Sequence, residues 1–390
     1  MQSEKVDRKT FKKRIIAHRM RIIIITAICL LAIAAIIFAC IRMYDAKMYT
    51  SYTVVSEVER TTTENSKVLG FGNQFITYSA DGIHCTDSSG KDVWSFSFEM
   101  QNIMLDINGN YVSCCDYNGR TIYIFGSSGL VGQISTNAPI KNICVSATGV
   151  VAAVIDDGLV TPINLYYYDG TQIASFRTTM SKSGYPVAVG ISDDSKLVGV
   201  SYLYLDSGVL MGKVAFYNFG EVGQNETDNL VSGYDFQNEL IPSIHFLSNK
   251  NAFALANDKL IFFEGKERPT SNANILLQGE VRALFYGDNR VGLLYLNETG
   301  ESKYRLDVYD AVGNIENSLM FDIEYSDIFF ANDCVIIYNS SEAVIYTSNG
   351  TRRFEGQFNS PVSLVVPTSS ELRYTLVTDS AIQTIVLDDE

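Results

Sequence analysis

Few residues in this chain have the types and spacing that catalysis or metal binding requires. His84 is followed directly by Cys85, and because neighbours in a strand point to opposite faces, this pair does not form a zinc site. His245 lies in an apolar run, and no Gly-x-Ser-x-Gly motif accompanies either histidine. We therefore interpret both histidines as structural and predict no catalytic and no metal-binding residue. A Ser-His-Asp triad built from distant segments stays open as an alternative.

Two further segments match ligand-binding patterns only in part. Residues 106–110 (DINGN) begin like a calcium-binding loop, but the glycine is in the fourth position and no Glu stands at the twelfth. We interpret this segment as a hairpin turn. Residues 166–168 (YYY) have rings suited to stacking on sugars or bases, but strand alternation places at least one of them in a core. The sequence contains no phosphate-binding loop, and we predict no cofactor.

The most unusual polar segment covers residues 220–229 (GEVGQNETDN). It is hydrophilic, contains glycine, and lies at the longest interval of the repeat described below. A surface loop between repeats explains it without any function. Our functional hypothesis is a loop that contacts a partner, because binding residues often lie on surface loops that a rigid fold holds in place. The candidate contact residues are Glu221, Gln224, Asn225, Glu226 and Asp228.

The elements that carry these residues form a repeat. After residue 50, short runs rich in Val, Ile, Tyr, Phe and Thr alternate with turns of Gly, Asn, Asp and Ser, which indicates many short strands. An aromatic-rich strand followed by a turn that ends in glycine recurs along the chain. These glycines, which tolerate the positive φ of tight hairpins, are Gly90, Gly129, Gly170, Gly220, Gly265, Gly313 and Gly350. They are spaced 37–50 residues apart, which matches the period of four-stranded propeller blades.

Each repeat divides into four strands. In the second repeat we predict strands at residues 103–106, 111–115, 121–125 and 131–135, with hairpin turns at Asn108-Gly109 and Asn118-Gly119. The last repeat holds only three strands, and residues 52–58 can supply the fourth and close the ring. The sequence thus predicts an all-β fold, a seven- or eight-bladed β-propeller preceded by one transmembrane helix. Eight blades are preferred, and seven follow if the irregular stretch 225–240 hides a miscount.

Residues 22–41 form an uncharged apolar run that is long enough to cross a hydrocarbon core of about 30 Å. Eight basic residues precede this run and only three occur in the next twenty positions, so we predict that the N-terminus is cytoplasmic. The predicted division is a basic tail (1–21), a transmembrane helix (22–41), a linker (42–51) and an extracytoplasmic propeller (52–390). A cleaved signal peptide has a shorter apolar region. A lipid-attachment site at Cys40 is disfavoured by the bulky Phe38.

Charge and cysteine content limit the environment and partners of the domain. Residues 49–390 hold 20 basic and 41 acidic side chains, a net charge of −21, which repels nucleic acid and anionic polymers. The five cysteines outside the span are odd in number, and Cys114 and Cys115 are adjacent, so we predict buried thiols rather than a disulfide framework.

Two resemblances extend this interpretation. Residues 87–96 (DSSGKDVWSF) resemble the blade repeat of quinoprotein dehydrogenases and outer-membrane assembly propellers, in which a Trp, here Trp94, packs between blades. Nearly the whole chain resembles a family of uncharacterised membrane-anchored propellers from Gram-positive bacteria, a domain of unknown function. Its motifs here are at residues 52–55 (YTVV), 129–132 (GLVG), 184–186 (GYP), 201–204 (SYLY) and 213–225 (KVAFYNFGEVGQN). The resemblance implies fold, location and source but no activity.

From these observations we expect a non-enzymatic binding or scaffolding module at the cell membrane, with its propeller outside the cell. The expected partner is an envelope protein or a cell-wall component, and not nucleic acid. One alternative is an enzyme, a hydrolase or quinone-dependent dehydrogenase, with its site in the propeller funnel. A second alternative is a single-pass sensor that signals through the helix.

Overall fold

The computed structural model describes residues 2–45, 47–60, 66–158, 160–178, 184–297, 300–331, 334–370 and 372–389. It contains one long helix, α1 (Gln2–Asp45), followed by strands arranged in eight separate four-stranded sheets. Two short 3₁₀ turns, at Gly223–Asn225 and Thr227–Asn229, interrupt the strands. The side chains of residues 2–10, 15 and 38–45 lie outside the described set, and the lipid-attachment hypothesis at Cys40 falls there.

Helix α1 is longer than the predicted span. It is continuous from the basic tail through the apolar run and takes in the first four residues of the predicted linker. Between Phe11 and Ile37 no apolar stretch is buried by the rest of the protein, and Leu31 is 70% exposed. A buried core helix is therefore excluded. By length and composition the helix can cross a membrane, and a signal sequence passes the same test.

Blades 1 to 4 follow one another along the chain. Their strands, from the innermost outwards, are as follows: in blade 1, β2 (Lys67–Phe71), β3 (Gln74–Ser79), β4 (Gly82–Asp87) and β5 (Asp92–Ser97); in blade 2, β6 (Ile103–Asn108), β7 (Tyr111–Asp116), β8 (Thr121–Gly126) and β9 (Gly129–Ser135); in blade 3, β10 (Ile140–Val145), β11 (Val151–Ile155), β12 (Thr161–Tyr166) and β13 (Gln172–Thr178); in blade 4, β14 (Tyr185–Ile191), β15 (Leu197–Asp206), β16 (Val209–Asn218) and β17 (Leu230–Gln237).

Blades 5 to 8 complete the ring. Their strands, in the same order, are as follows: in blade 5, β18 (Ser243–Phe246), β19 (Asn251–Leu255), β20 (Lys259–Glu264) and β21 (Thr270–Leu276); in blade 6, β22 (Val281–Gly287), β23 (Arg290–Leu296), β24 (Tyr304–Tyr309) and β25 (Ile315–Phe321); in blade 7, β26 (Asp327–Ala331), β27 (Cys334–Tyr338), β28 (Glu342–Thr347) and β29 (Arg352–Gln357); in blade 8, β30 (Val362–Pro367), β31 (Arg373–Thr378), β32 (Ala381–Asp388) and β1 (Ser51–Glu59).

The eight-bladed prediction is confirmed, and so are the four strands and both turns of the second repeat. Seven blades would have required a miscount at residues 225–240. That stretch instead contains β17, the outer strand of blade 4, which pairs with β16 after the two 3₁₀ turns.

The ring closes between the two ends of the chain. Strand β1 pairs antiparallel with β32 from Ser51 opposite Asp388 to Glu59 opposite Ala381, as the missing fourth strand predicted. Just before β1, the buried Tyr49 donates its N–H to Arg353 O (2.8 Å) and accepts from Glu355 N on blade 7. The predicted linker is thus partly helix and partly built into the ring. With β1 in place, blade 8 has all four strands, and the outer side of β32 is paired instead of being left as an open edge.

Strand direction gives the ring two distinct faces. The turns that join first to second strands and third to fourth strands all lie on one face, which we name the entry face. Strand β1 begins and β32 ends on this same face. The opposite side, the far face, carries the turns between second and third strands and the connections between blades. The chain therefore enters the ring from α1 at the entry face.

Packing between blades follows the repeat. The Trp94 ring of β5 lies parallel to Phe125 of β8 at 5.0 Å, so the packing that the quinoprotein-like repeat predicted is confirmed. Cys114 and Cys115 point into different hydrophobic clusters and are buried, as expected for neighbours in a strand.

The repeated glycines behave as predicted with one exception. Six of the seven have positive φ in the turn between third and fourth strands, for example +75° at Gly90 and +88° at Gly170. Gly220 does not, so the explanation by positive φ is wrong for this position. The reason is that the chain leaves β16 into the two 3₁₀ turns instead of a tight hairpin.

Arg60 ties the closing blade to blade 1, and its removal tests the closure. The buried guanidinium donates to Thr378 O (3.2 Å) in β31 and to Thr77 Oγ1 (2.7 Å) in β3. Arg60→Met keeps much of the packing but leaves these two acceptors without this donor, so we expect a loss of about 1–3 kcal/mol in the free energy of unfolding. Urea denaturation measures it, with the exposed Lys67→Met as the matched control. Equal stability of the two variants would contradict a closing role for Arg60.

Candidate functional site

A central cavity of about 460 Å³, lined by residues of five blades, is the candidate site. Its walls are the innermost strands of blades 2 to 6, and it reaches the ends of these strands and the turns that follow them. Because those turns belong to the entry face, the cavity opens on the side where the chain enters the ring. Its polar lining residues are Asp106, Asn108, Asn142, Cys144, Asp193, Ser243, His245, Tyr286, Asp288 and Asn289.

Asp106 lies in this wall near the end of β6. The hairpin predicted for residues 106–110 is present, with Asn108 opposite Tyr111. The carboxyl of Asp106 accepts the N–H of Val145 (2.7 Å) from the neighbouring blade, and no Lys or Arg lines the cavity. Burial raises the pKa of Asp106 above its ordinary value, while its backbone hydrogen bonds act in the opposite direction. The sequence predicted this turn but not that Asp106 lines a cavity.

His245 and Tyr286 form an aromatic pair in the same cavity. Their rings are stacked with centroids 4.2 Å apart, and Phe253 meets Tyr286 edge-on at 5.5 Å. Tyr286 is 44% exposed because it faces the open space of the cavity. Burial lowers the pKa of His245 to about 4, so its ring is neutral near pH 7. His245 thus packs in the structure as predicted, but it also lines a cavity.

The thiol and imidazole of the cavity are poorly suited to nucleophilic catalysis. Burial raises the pKa of Cys144 well above its ordinary value, and Asp106 adds to the shift. A thiol that stays protonated is a weak nucleophile. Within the described part of the chain, no cluster of three or more His, Cys, Asp or Glu side chains is close enough to hold a metal ion. His84 lies in β4, outside the cavity lining, and Cys85 points away from it into the core.

The rim of the cavity is ordered by hydrogen bonds between turns of different blades. Asn108 Nδ2 donates to Asp193 Oδ1 at 2.9 Å, which connects blade 2 to blade 4. Asp194 N donates to Asn249 Oδ1 at 2.8 Å, which connects blade 4 to blade 5. These contacts hold the turns in one arrangement, so the mouth of the cavity is preformed.

The predicted contact loop lies on the same face at blade 4, between β16 and β17. Glu221, Gln224, Asn225 and Asp228 are exposed, while Glu226 forms an ion pair with Arg268 of blade 5. None of the five lines the central cavity. Asp228 instead borders a polar cleft between blades 3 and 4. The loop and the cavity are thus separate features of the entry face.

Asn218, which sequence reasoning did not select, fixes the loop. Its side chain accepts the N–H of Gly220 (2.7 Å) and donates to Glu267 O (2.9 Å) in blade 5. Asn229 Nδ2 in turn donates to Asn218 O at 3.1 Å. A Cβ on Gly223 would lie 1.6 Å from Asn218 O, so only glycine fits there. The loop is held in one shape while its polar side chains project outwards.

The tyrosine run at residues 166–168 is divided as strand alternation predicted. Tyr166 is buried, and its hydroxyl accepts a hydrogen bond from Asn164 Nδ2 at 2.8 Å. Tyr167 and Tyr168 are 48% and 45% exposed, and Tyr168 stacks on Tyr111 of the preceding blade. The run therefore packs blades together rather than forming a stacking platform of three rings.

Comparisons with known proteins agree with this architecture. A model described as "Family of unknown function (DUF5711)" matches residues 45–387, and no curated protein matches the chain. Among solved structures, BamB from Moraxella catarrhalis is similar with a TM-score of 0.50 and 10% identity, over 86% of this chain and all of that chain. Sqt1 from Chaetomium thermophilum gives a TM-score of 0.54 and 11% identity, over 85% and 98% of the two chains. At these identities the likeness shows the propeller fold alone.

The pH dependence of stability tests the environment of His245. The pKa of His245 is about 4 in the folded state and 6.5 in the unfolded state, so between pH 4 and pH 6.5 the folded state binds fewer protons. The contribution of His245 to the free energy of unfolding is therefore complete above pH 6.5. About 3 kcal/mol of it is lost as the pH falls from 6.5 to about 4. His245→Phe keeps a ring beside Tyr286 and removes this titration.

We therefore expect the wild type to lose more stability than His245→Phe when urea denaturation is measured from neutral pH downwards. Asp106 contributes with the opposite sign, because its raised pKa makes the folded state bind more protons, but it is present in both proteins and cancels. Parallel stability curves for the two proteins would show that His245 is not held neutral by burial.

Proposed function

The chain belongs to the family of unknown function (DUF5711), and we propose that it is a membrane-tethered propeller that binds or scaffolds a partner at the cell envelope. The observation that carries this proposal is the position of the entry point. The chain enters the ring on the same face that carries the central cavity and the ordered loop at residues 219–229.

The anchor determines where this face is presented. Helix α1 contains the candidate span Phe11–Ile37, in which the uncharged apolar run begins at residue 22, and the basic residues before this run orient the N-terminus to the cytoplasm. Four peptide steps separate Asp45 from the ring-bound Tyr49, a reach of at most about 14 Å. The entry face is therefore held close to the outer surface of the membrane. A partner that lies along this surface meets the cavity rim and the loop first.

The chemistry of the face supports binding rather than catalysis. Cys144 is a protonated thiol, His245 is neutral, and the turns around them are locked by hydrogen bonds between blades. A preformed surface loses little conformational entropy when a partner docks. The net charge of −21 over residues 49–390 favours a protein or cell-wall component with basic groups and disfavours nucleic acid.

Cysteine labelling in intact cells tests the topology. Leu205 is 72% exposed at the tip of the β15–β16 hairpin on the far face, while the described cysteines of the propeller are buried. We expect a membrane-impermeant maleimide to label Leu205→Cys in intact cells and Lys13→Cys only after lysis. The wild-type chain controls for native thiols. Labelling with the reverse preference would place the propeller in the cytoplasm.

Site-specific crosslinking tests the binding face. A photoreactive residue in place of the exposed Gln224 lies on the entry face, and the matched replacement of Leu205 lies on the far face. We expect the Gln224 position in full-length protein in cells to give a reproducible crosslinked envelope component that the Leu205 position does not give. Identical products from the two positions, or none from Gln224, would argue against the entry face as the recognition surface.

A further inference from the structure

We propose that the central cavity is a binding site for a small organic cation that carries an ammonium group. The inference rests on the proposed binding function and specifies a ligand for the entry face. It uses three properties of the cavity: its charge, its aromatic wall and its size.

The cavity is lined by acidic groups without basic ones. Asp106, Asp193 and Asp288 supply three carboxyl groups, and the lining contains no Lys or Arg. Among the described contacts, Asp193 accepts a hydrogen bond from the neutral amide of Asn108, and Asp288 pairs with Arg290 at 3.7 Å, which lies outside the lining. A concave site with one sign of charge concentrates counterions, and the acidic domain around it adds to this field. A cation is the ligand that this potential attracts.

Asp106 is the group that gains most from such a ligand. Its carboxyl is enclosed, its hydrogen bonds come from the backbone N–H groups of Val145 and Ile107, and the structure describes no ion pair to it. Neutral donors compensate an enclosed carboxylate only in part. An ammonium group in the cavity would supply the missing positive charge and donate charge-assisted hydrogen bonds.

The wall next to this carboxyl favours an organic cation. The stacked pair of His245 and Tyr286 presents ring surface to the cavity, and a cation within about 6 Å of such a ring is attracted by its π-electrons. His245 is uncharged near neutral pH, so it does not repel a cation. The described hydrogen bonds include none from its imidazole, although protein encloses much of the ring, which borders the cavity. A ligand N–H can be the partner of its free ring nitrogen.

The size of the cavity favours an organic cation over a bare metal ion. A volume of about 460 Å³ suits a small organic molecule and is far larger than a single ion requires. Calcium needs about six to eight oxygen ligands at 2.3–2.6 Å. The described side chains include no cluster of three or more acidic, His or Cys groups placed to hold a metal.

Isothermal titration of the full-length protein in detergent tests the inference with cadaverine and choline as probes. The neutral 1,5-pentanediol, the anion glutarate, and calcium and magnesium chlorides are titrated in parallel. We expect saturable one-to-one binding of at least one organic cation and no comparable binding of the diol or glutarate. Tighter binding of a metal ion than of either organic cation, or no saturable binding of any probe, would overturn the inference.

Substitutions locate the binding. Asp106→Asn should weaken cation affinity by at least tenfold, and Tyr286→Leu by several-fold, because they remove the charge and the ring. Should Asp106→Asn fail to fold, Asp288→Asn at the mouth of the cavity replaces it. Asp288 has a φ of +48°, which Asn also adopts, and we expect this variant to bind the cation two- to threefold more weakly. The exposed Asp81→Asn on the far face is the matched control and should bind like the wild type. Equal affinities of all variants would place the cation outside the cavity.

The outcomes separate this inference from the proposed function. If Gln224 crosslinks a partner while no probe binds in the cavity, only the ligand assignment fails. If the organic cation binds in an Asp106-dependent way while no partner is captured, the cavity assignment stands and the scaffolding role fails.

Discussion

The pairing of β1 with β32 is the constraint on which the rest of this structure depends. An open ring of four-stranded sheets would expose unpaired strand edges and separate its first and last blades. By adding the first strand of the domain to the last blade, the chain joins its two ends through a full antiparallel ladder. Tyr49 and Arg60, on either side of β1, extend this closure to blades 7 and 1.

Closure also determines the face on which the chain enters the ring. Because β1 is the outer strand of blade 8, its direction places the chain entry on the face where the innermost strands end. The same face carries the cavity and the rigid loop that follows Asn218. A strand added with the opposite direction would place the chain entry on the far face. One pairing thus links fold stability to the orientation of the proposed binding surface.

Most of the fold follows from local sequence signals. The glycine period, the Asn-Gly turns and the alternation of apolar residues were sufficient to predict a propeller with eight blades preferred over seven and the strands of blade 2. The packing of Trp94 followed instead from the resemblance to the quinoprotein-type repeat. The exception at Gly220 and the hidden strand β17 occur where the turn is unusually long. There the conformation depends on contacts with blade 5, such as Asn218 with Glu267, which no local pattern contains.

The sequence by itself determined the apolar helix, the acidic charge and the repeated four-strand unit, because each is a property of neighbouring residues. Only the tertiary structure decided that Asp106, His245 and Tyr286 share one cavity. They come from blades 2, 5 and 6, and the sequence around each of them indicates only a turn or a core position. Alternation shows that strand neighbours face opposite ways, but only the closed ring determines which strands are innermost and which side chains meet at its centre.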